Sequence, residues 1–183
     1  MNSIPIWWKE KAFSPQLCDL IINEANWAQE QDAGFVYQNQ KNLDHFKRKT
    51  KIIFEEVDSI AGCILQTYIQ IANVKANWNF NIHYLQTVQI GKYEDQGHYD
   101  WHIDTMKPGE FGMQRKLSAV LFLSNPEDYE GGVFELKSLK QPLGKLPRGS
   151  IIVFPSYLSH RVTPVTKGTR YTATSWMMGP TFR

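Results

Sequence analysis

The stretch from Gln96 to Asp104 carries the densest candidate chemistry in the sequence, because two His-x-Asp pairs follow each other there. Residues two apart on a β-strand project from the same face, so either pair, His98 with Asp100 or His102 with Asp104, could point at one metal ion. One further histidine would complete the triad of two histidines and a carboxylate that binds iron(II) and leaves coordination positions open. The spacing predicts a metal site on a strand and leaves both pairs as candidates.

The C-terminal third offers a third ligand and a neighbouring anion pocket. His160 follows an apolar run, 150–154, at a turn, and Arg170 lies ten residues further on. One face of an alternating strand there would carry Arg170, Thr172, Thr174 and Trp176. A guanidinium with nearby hydroxyls can hold a carboxylate through two hydrogen bonds, so this face is expected to line a pocket for an anion.

The order and spacing of these motifs resemble the iron(II)- and 2-oxoglutarate-dependent dioxygenases, specifically the prolyl 4-hydroxylase-like branch with its bacterial and phage members. The resemblance rests on Tyr-x-x-His-x-Asp, a second histidine 58 residues after the first, and an arginine ten residues beyond it. Further segments that resemble the family are 117–126, 129–132, 147–149 and 160–165. The resemblance covers the chain from the Phe13-Ser14 helix start to Trp176 and implies a double-stranded β-helix.

The resemblance implies the metal ligands and thereby chooses between the two pairs. The implied ligands are His102, Asp104 and His160. Arg170 becomes the partner of the distal carboxylate of 2-oxoglutarate, and Tyr93 lines the same cosubstrate pocket. Where animal prolyl hydroxylases place a tyrosine that reaches this carboxylate, the chain has Phe122, so Thr172 or Tyr93 is expected to supply the second donor.

The resemblance also implies a substrate site, cofactors and an activity. Tyr99, Trp176 and Arg115 are expected near the substrate. The implied cofactor and cosubstrates are Fe(2+), 2-oxoglutarate and O2, with ascorbate as an auxiliary reductant. The implied reaction hydroxylates a C–H bond and releases succinate and CO2, and the leading substrate is a proline within a protein or peptide.

Two other functions remain open from the sequence. A free amino acid or another small molecule is the alternative substrate. A non-catalytic jelly-roll binding module ranks lower, because a degenerate relative would be expected to have lost at least one of four residues that are all present, His102, Asp104, His160 and Arg170.

Length and composition set the outer bounds of these expectations. The 183 residues predict one domain over 1–183, and the formal charge of +2 argues against a nucleic-acid or membrane partner. No run approaches the ~18 apolar residues of a membrane span, and the N-terminal stretch does not resemble a secretory signal. A cytoplasmic protein with Cys18 and Cys63 as buried free thiols is expected, while its oligomeric state stays open.

Two amphipathic stripes predict the helices that support the site. Ser14 and Pro15 indicate an N-cap and first turn, with a helix to about residue 30. A second stripe predicts the longest helix, and its members are Ile53, Val57, Ile60, Ala61, Ile64, Tyr68 and Ile71. Helical support is therefore expected over about 14–75.

From Trp78 onward the hydrophobic period changes from 3.6 to 2, which predicts strands over about 78–178. They are expected at 78–84, 86–93, 98–103, 117–124, 132–137, 150–155, 161–165 and 169–177. Helices followed by about eight short strands indicate an α+β fold, with helices backing an antiparallel barrel or jelly roll.

Two features are expected around the mouth of the site. The segment from Thr105 to Arg115, with Gly109 and Gly112, predicts either a lid or an ordinary surface loop. Five aromatic residues are available to wall the pocket, namely Trp101, Phe122, Phe134, Phe154 and Trp176.

Overall fold

The structure, a computed structural model, describes residues 5–37, 40–42, 46–105, 107–109, 111–141 and 143–182. Its elements in chain order are β1 (Trp7–Lys9), α1 (Pro15–Glu24), β2 (Gln31–Asp32), β3 (Phe35–Tyr37), β4 (Gln40–Asn42), β5 (Arg48–Lys49), β6 (Lys51–Glu55), α2 (Ile60–Lys75), β7 (Tyr84–Leu85), β8 (Val88–Tyr93), β9 (Gly97–His102), β10 (Met113–Phe122), β11 (Tyr129–Gly131), β12 (Phe134–Leu136), β13 (Ile151–Pro155), β14 (His160–Gly168) and β15 (Arg170–Pro180). Two 3-10 turns lie at Trp27–Gln29 and Pro126–Asp128.

The strands form a larger and a smaller antiparallel sheet. The larger sheet has the order β1-β13-β10-β15-β8-β6-β2, with β7 paired to β15. The smaller sheet has the order β11-β14-β9-β5, with β12 paired to β14, and β3 pairs separately with β4. Strands that are adjacent in a sheet are often distant in sequence, as expected for a jelly roll. The predicted α+β double-stranded β-helix, backed by N-terminal helices, is confirmed.

Alternation along β10 separates the two layers of the core. Leu117, Ala119 and Leu121 belong to the layer between the larger sheet and the helices. Val120 and Phe122 belong to the layer between the two sheets. Period-2 alternation thus gives one face of the larger sheet to the helices and leaves the other face to form the interior of the barrel.

Helix α1 begins as predicted and ends earlier than predicted. The Ser14 hydroxyl accepts a hydrogen bond from the Leu17 N–H at 3.3 Å, and Pro15 occupies the first turn. The chain becomes extended at Ala25, which is buried, and Trp27 then packs edge-on against Tyr171 with ring centroids 5.3 Å apart. Burial of these side chains redirects the backbone, so the expected helix to about residue 30 is wrong beyond Glu24.

Helix α2 begins later than its apolar stripe predicts. Ile53 lies in β6 and pairs with Ile90 of β8, and Val57 lies outside both β6 and α2. Ile52 and Ile53 are both buried because β6 is an interior strand of the larger sheet. The Ser59 hydroxyl accepts a hydrogen bond from the Gly62 N–H at 3.2 Å and caps the helix. The helical spacing between Ile53 and Val57 is therefore a coincidence of sequence.

The alternation from Trp78 to Tyr84 does not form a strand before Tyr84. Asn77 and Asn79 have φ values of 58° and 50°, and this left-handed backbone interrupts an extended run. The Asn73 side chain fixes the connection by hydrogen bonding both the N–H and the carbonyl of Phe80, at 2.9 Å each. Trp78 is buried against the helical layer, so its apolar character reflects packing of a loop.

The cysteines and helices bear on two further expectations. Cys18 and Cys63 are both free thiols, and Cys18 is buried. Cys63 is exposed, so the prediction of two buried thiols is wrong for this residue. Within the part of the chain that the structure describes, neither helix has the length and apolar character needed to cross a membrane.

Candidate active site

The structure brings His102, Asp104 and His160 together into one cluster. Their potential ligand atoms all lie within 4.8 Å of one another. His102 ends β9 and is the register partner of His160, which begins β14, while Asp104 follows two residues after His102. The Nε2 atoms of the two histidines each lie 3.5 Å from an oxygen of Asp104. The three side chains therefore form a compact group at one end of the smaller sheet.

Main-chain carbonyls orient both imidazole rings. The Nδ1 of His102 lies 2.7 Å from the Asp100 carbonyl oxygen, and the Nδ1 of His160 lies 3.0 Å from that of Leu158. A carbonyl oxygen only accepts, so each Nδ1–H donates and each Nε2 is left with a lone pair toward the cluster. This is the tautomer that a metal-binding histidine needs.

Asp104 is held by neighbouring hydroxyl and main-chain groups. Its Oδ2 accepts a hydrogen bond from the Ser118 hydroxyl at 2.7 Å, and the Ser118 and Ser156 Oγ atoms are 2.9 Å apart. The Asp104 N–H donates to the Ser156 carbonyl at 2.9 Å. These contacts connect Asp104 to β10 and to the turn after β13, so both of these segments hold the residue in place.

The charges of the cluster suit a divalent cation. Burial opposes ionisation of Asp104, but the attraction of His160, the hydrogen bond and charge of His102, and the charge of Arg115 hold the pKa of this carboxyl well below its usual range. Burial lowers the pKa of His160 against the attraction of Asp104, which favours its neutral, metal-binding form. One carboxylate and two imidazoles form a donor set that fits iron(II).

The second His-x-Asp pair lies away from this cluster. Both ring nitrogens of His98 lie next to main-chain carbonyl oxygens, at 2.8 and 3.0 Å, and Asp100 pairs with Lys47 at 3.5 Å. An irregularity in the pairing of β9 with β14 accounts for the separation. His160 and Val162 of β14 face His102 and Tyr99, so β9 carries one extra residue in this interval and its alternation reverses.

A cavity of about 560 Å³ opens at the cluster. Its lining includes the metal-binding candidates and all the other site residues that the sequence predicts, namely Tyr93, Tyr99, Arg115, Arg170, Thr172 and Trp176. Thr174 also lines the cavity, so the predicted polar face of β15 points inward. The larger sheet contributes this face and the smaller sheet contributes His102 and His160.

Arg170 is buried in the cavity wall, and it has no hydrogen-bonding partner in the described part of the chain. The residue is 1% exposed, and its three guanidinium nitrogens all lack a partner among the described residues. Its Cζ lies 5.0 Å from the centre of the Tyr93 ring and 5.4 Å from that of Phe122. Gly132 makes room for it, because an added Cβ there would lie 2.9 Å from the Arg170 Cδ. A buried, unpartnered guanidinium is costly unless an anion completes the site.

Tyr99 and Arg48 form a stack on the metal-binding face. The Tyr99 ring lies flat on the His102 ring, with centroids 3.4 Å apart and planes at 12°, and the Arg48 Cζ lies 4.4 Å above Tyr99. Arg48 comes from β5 and lines the cavity, but no motif in the sequence singles it out. Its only sequence signal is a basic run, 47–49 and 51, in which the other residues point elsewhere.

A β-bulge directs Arg115 into the cavity. The pairing of β10 with β15 shifts between Arg115 and Leu117, so Lys116 is an extra residue and Arg115 leaves the helix-facing side that Leu117 occupies. The Arg115 Nε donates to the Gln86 side-chain oxygen at 2.6 Å, and its Cζ lies 3.7 Å from the centre of the Trp176 ring. Arg115 ends the segment predicted as a lid or loop, 105–115, and residues 113–115 of that segment belong to β10. A lid over the remaining residues, 105–112, stays a prediction, and residues 106 and 110 lie outside the described part.

The predicted aromatic wall is only partly present. Phe134 and Trp176 line the cavity. Phe154 lies behind His160, with ring centroids 4.7 Å apart, and Phe122 lies behind Arg170. The expectation is wrong for Trp101, which does not line the cavity because it faces Arg161 at 4.8 Å.

Comparison with known proteins identifies the class that this fold and site define. Residues 88–178 match the model of the 2OG-Fe(II) oxygenase superfamily. That segment contains all three residues of the cluster and Arg170, and it identifies a 2OG-Fe(II) oxygenase domain in the chain. The family predicted from the sequence is confirmed for this domain, and domains of this superfamily use iron(II), 2-oxoglutarate and O2.

The chain is also similar to individual curated proteins and solved structures. A PKHD-type hydroxylase of Hyphomonas neptunium is 44% identical over 82 residues, which cover 43% of this chain and 37% of the relative. A viral collagen prolyl hydroxylase of Paramecium Bursaria Chlorella virus-1 has the same fold, with a TM-score of 0.74, 17% identity, and 96% and 97% of the two chains covered. A Pseudomonas putida prolyl-4-hydroxylase has a TM-score of 0.72 and 18% sequence identity. The comparison covers 94% of this chain and 92% of that chain. The chain thus covers 37% of the length of the Hyphomonas neptunium relative and more than nine tenths of each of the two structural neighbours.

Proposed function

We propose that the protein is an iron(II)- and 2-oxoglutarate-dependent dioxygenase that hydroxylates a prolyl residue of a protein or peptide and releases succinate and CO2. One observation carries the proposal: the buried cluster of His102, Asp104 and His160 opens into the same cavity as the unpartnered guanidinium of Arg170. Two histidines and a carboxylate beside a buried guanidinium form the arrangement that joint binding of iron and a dicarboxylic cosubstrate requires.

In this proposal the cluster holds iron and Arg170 holds the distal carboxylate of 2-oxoglutarate. Bound iron would supply the activation of O2 that is coupled to decarboxylation of the cosubstrate. Tyr93 and Thr172 line the cavity beside Arg170 and would donate to the same carboxylate, since Phe122 has no hydroxyl to offer. The chain's own part is to orient the ligands and to bury the cosubstrate.

The residues proposed to meet the substrate come from both sheets. Tyr99 lies on β9 of the smaller sheet, whereas Arg115 and Trp176 lie on the adjacent strands β10 and β15 of the larger sheet. Apolar side chains of Val120, Phe134 and Val162 share the lining and would exclude water from the reacting centre. The names of the two structural neighbours, both prolyl hydroxylases, support proline as the residue modified.

Two broader expectations also belong to the proposal. We propose one domain over 1–183, supported by the packing of α2 against strands β10, β13 and β15 of the oxygenase segment. We also propose a cytoplasmic location, because the two described cysteines are both free thiols and free thiols persist in a reducing compartment.

Turnover with defined substrates tests the function. The purified protein is incubated with iron(II), labelled 2-oxoglutarate and proline-containing peptides, and succinate is measured together with an oxygen atom added to the peptide. We expect peptide-dependent succinate release and hydroxylated peptide. Succinate release stimulated only by a free amino acid or another small molecule would overturn the peptidyl substrate, and no release with any addition would overturn the dioxygenase.

A further inference from the structure

The cavity carries more positive charge than the proposed cofactors can balance. Its described lining residues include four cations, Arg48, Lys107, Arg115 and Arg170, and a single carboxylate, Asp104. Iron(II) and Arg170 would together be balanced by Asp104 and the two carboxylates of 2-oxoglutarate. Arg48, Arg115 and Lys107 then remain without a counter-charge.

Among the residues that the structure describes, Arg48 has only neutral hydrogen-bonding partners. One terminal nitrogen donates to the Gly34 carbonyl at 3.1 Å and the other to the Gln89 side-chain oxygen at 3.3 Å, while the buried Nε has no partner among these residues. Two lysines of the same basic run are different, because Lys47 pairs with Asp100 and Lys51 pairs with Asp32. The third lysine, Lys49, is exposed and bonds the Asp95 main-chain carbonyl. Arg48 is thus the cation of this run that lines the cavity, and it has no carboxylate partner among the described residues.

Arg115 is in the same situation on the other sheet. Its Nε donates to the neutral side chain of Gln86, and among the described residues no carboxylate oxygen lies within 4.0 Å of a nitrogen of Arg48, Arg115 or Lys107. Arg48 and Arg115 line the same cavity, and a bound anion there would offset the charge of both guanidinium groups. The charge of Arg48 also adds to the burial that lowers the pKa of Arg115, against the charges of Asp104 and Tyr99.

Each guanidinium also lies on an aromatic ring beside the metal cluster. Arg48 covers Tyr99, which stacks on His102, and Arg115 covers Trp176. Stacking fixes the plane of a guanidinium and leaves its edge for hydrogen bonds, which favours a planar carboxylate. Arg48 supplies one guanidinium from the smaller sheet, and Arg115 supplies another from the larger sheet.

We propose that the substrate carries a carboxylate close to the carbon that is hydroxylated, and that Arg48 is the residue that selects for it together with Arg115. The inference rests on the proposed function and specifies its substrate class. The carboxylate could belong to an aspartate or glutamate next to the target residue of a peptide, or to the α-carboxylate of a free amino acid. Both sources offer the same planar anion.

Matched substrate pairs test this selection. The first pair is proline peptides with either aspartate or asparagine on both sides of the proline, and the second is free L-proline and L-prolinamide. Binding to the anaerobic complex with iron(II) and 2-oxoglutarate is measured for each probe, followed by kcat/KM for substrate-coupled succinate formation. For the pair that the enzyme accepts as substrate, we expect kcat/KM to be about tenfold or more higher for the carboxylate member than for the amide member.

Variants assign the preference to Arg48. We expect Arg48→Gln to reduce the ratio of kcat/KM for the carboxylate substrate to kcat/KM for the amide substrate to about 1–2, because loss of the charge removes the electrostatic selection. Arg48→Lys keeps the charge and should retain part of the preference. Lys49→Gln is the matched control, since it removes a charge from the same strand but Lys49 is exposed and bonds the Asp95 carbonyl. It should leave the ratio unchanged. A ratio of rates is insensitive to a general loss of activity or stability in a variant.

Four results would overturn the proposal, and they are distinguishable from failure of the function itself. If 2-oxoglutarate still binds, equal use of carboxylate and amide probes would contradict a carboxylate-bearing substrate. Failure of both carboxylate probes to bind would contradict it as well. A preference that survives Arg48→Gln would remove Arg48 as its source. A raised KM for 2-oxoglutarate in Arg48→Gln, with an unchanged ratio, would assign the charge to the cosubstrate. The absence of 2-oxoglutarate binding would instead contradict the dioxygenase.

Discussion

The two His-x-Asp pairs, one within β9 and one that starts at its last residue, have the same sequence pattern and different environments. His98 and Asp100 are bonded to main-chain carbonyls and to Lys47, whereas His102 and Asp104 are buried with His160 at the cavity. One extra residue in β9 relative to β14 separates them. Spacing within a strand therefore proposes ligands, and the register with the neighbouring strand decides which pair faces the interior.

The largest expected effect comes from substituting the histidine of each pair in turn. We expect His102→Ala to reduce iron-dependent succinate formation to background, because it removes one of three ligands, while His98→Ala retains most of it. Initial rates with saturating iron(II) and 2-oxoglutarate provide the measurement. The opposite pattern would place the metal on His98 and Asp100 and would refute the site described above.

The next effect concerns the anion partner rather than the metal. We expect Arg170→Gln to raise the KM for 2-oxoglutarate on the order of 100-fold or more, because it leaves the distal carboxylate without its charged partner in a buried site. Lys167→Gln is the control, since Lys167 lies on the exposed end of β14 and pairs with Glu130. Equal KM values in the two variants would show that Arg170 does not hold the cosubstrate.

A smaller effect should follow from loosening the support of Asp104. We expect Ser118→Ala to weaken iron affinity by about 10–100-fold, because it removes the 2.7 Å hydrogen bond to Asp104 Oδ2. An equilibrium titration with iron(II) measures the change. Ser59→Ala should instead cost about 1 kcal/mol of stability through loss of a helix cap and leave iron affinity unchanged. Weaker iron binding in Ser59→Ala alone would contradict this division.

The sequence predicts those parts of the site that follow from spacing within one strand or from a family motif. His102, Asp104, His160 and the inward face of β15 that begins at Arg170 were accessible in this way. Arg48 was not, because β5 has two residues and owes its position to pairing with β9, about fifty residues later in the chain. The inward direction of Arg115 likewise depends on a bulge that alternation does not reveal.

The misassigned elements of the fold have the same physical origin. Ile53 continues the stripe of α2 in the sequence, yet its pairing with Ile90 places it in a sheet. Trp78 and Tyr84 share a period of two, yet left-handed backbone at Asn79 interrupts the run between them. Local periodicity reports that a side chain is buried, and the long-range partner determines the element in which it is buried.

Anaerobic reconstitution with iron(II) and 2-oxoglutarate tests the central claim most directly. We expect one iron per chain and the weak visible absorption band that 2-oxoglutarate gives on chelating iron. The same band should form in His98→Ala and be absent from His102→Ala. Absence of the band in the unmodified protein, or its loss in His98→Ala with retention in His102→Ala, would contradict the account.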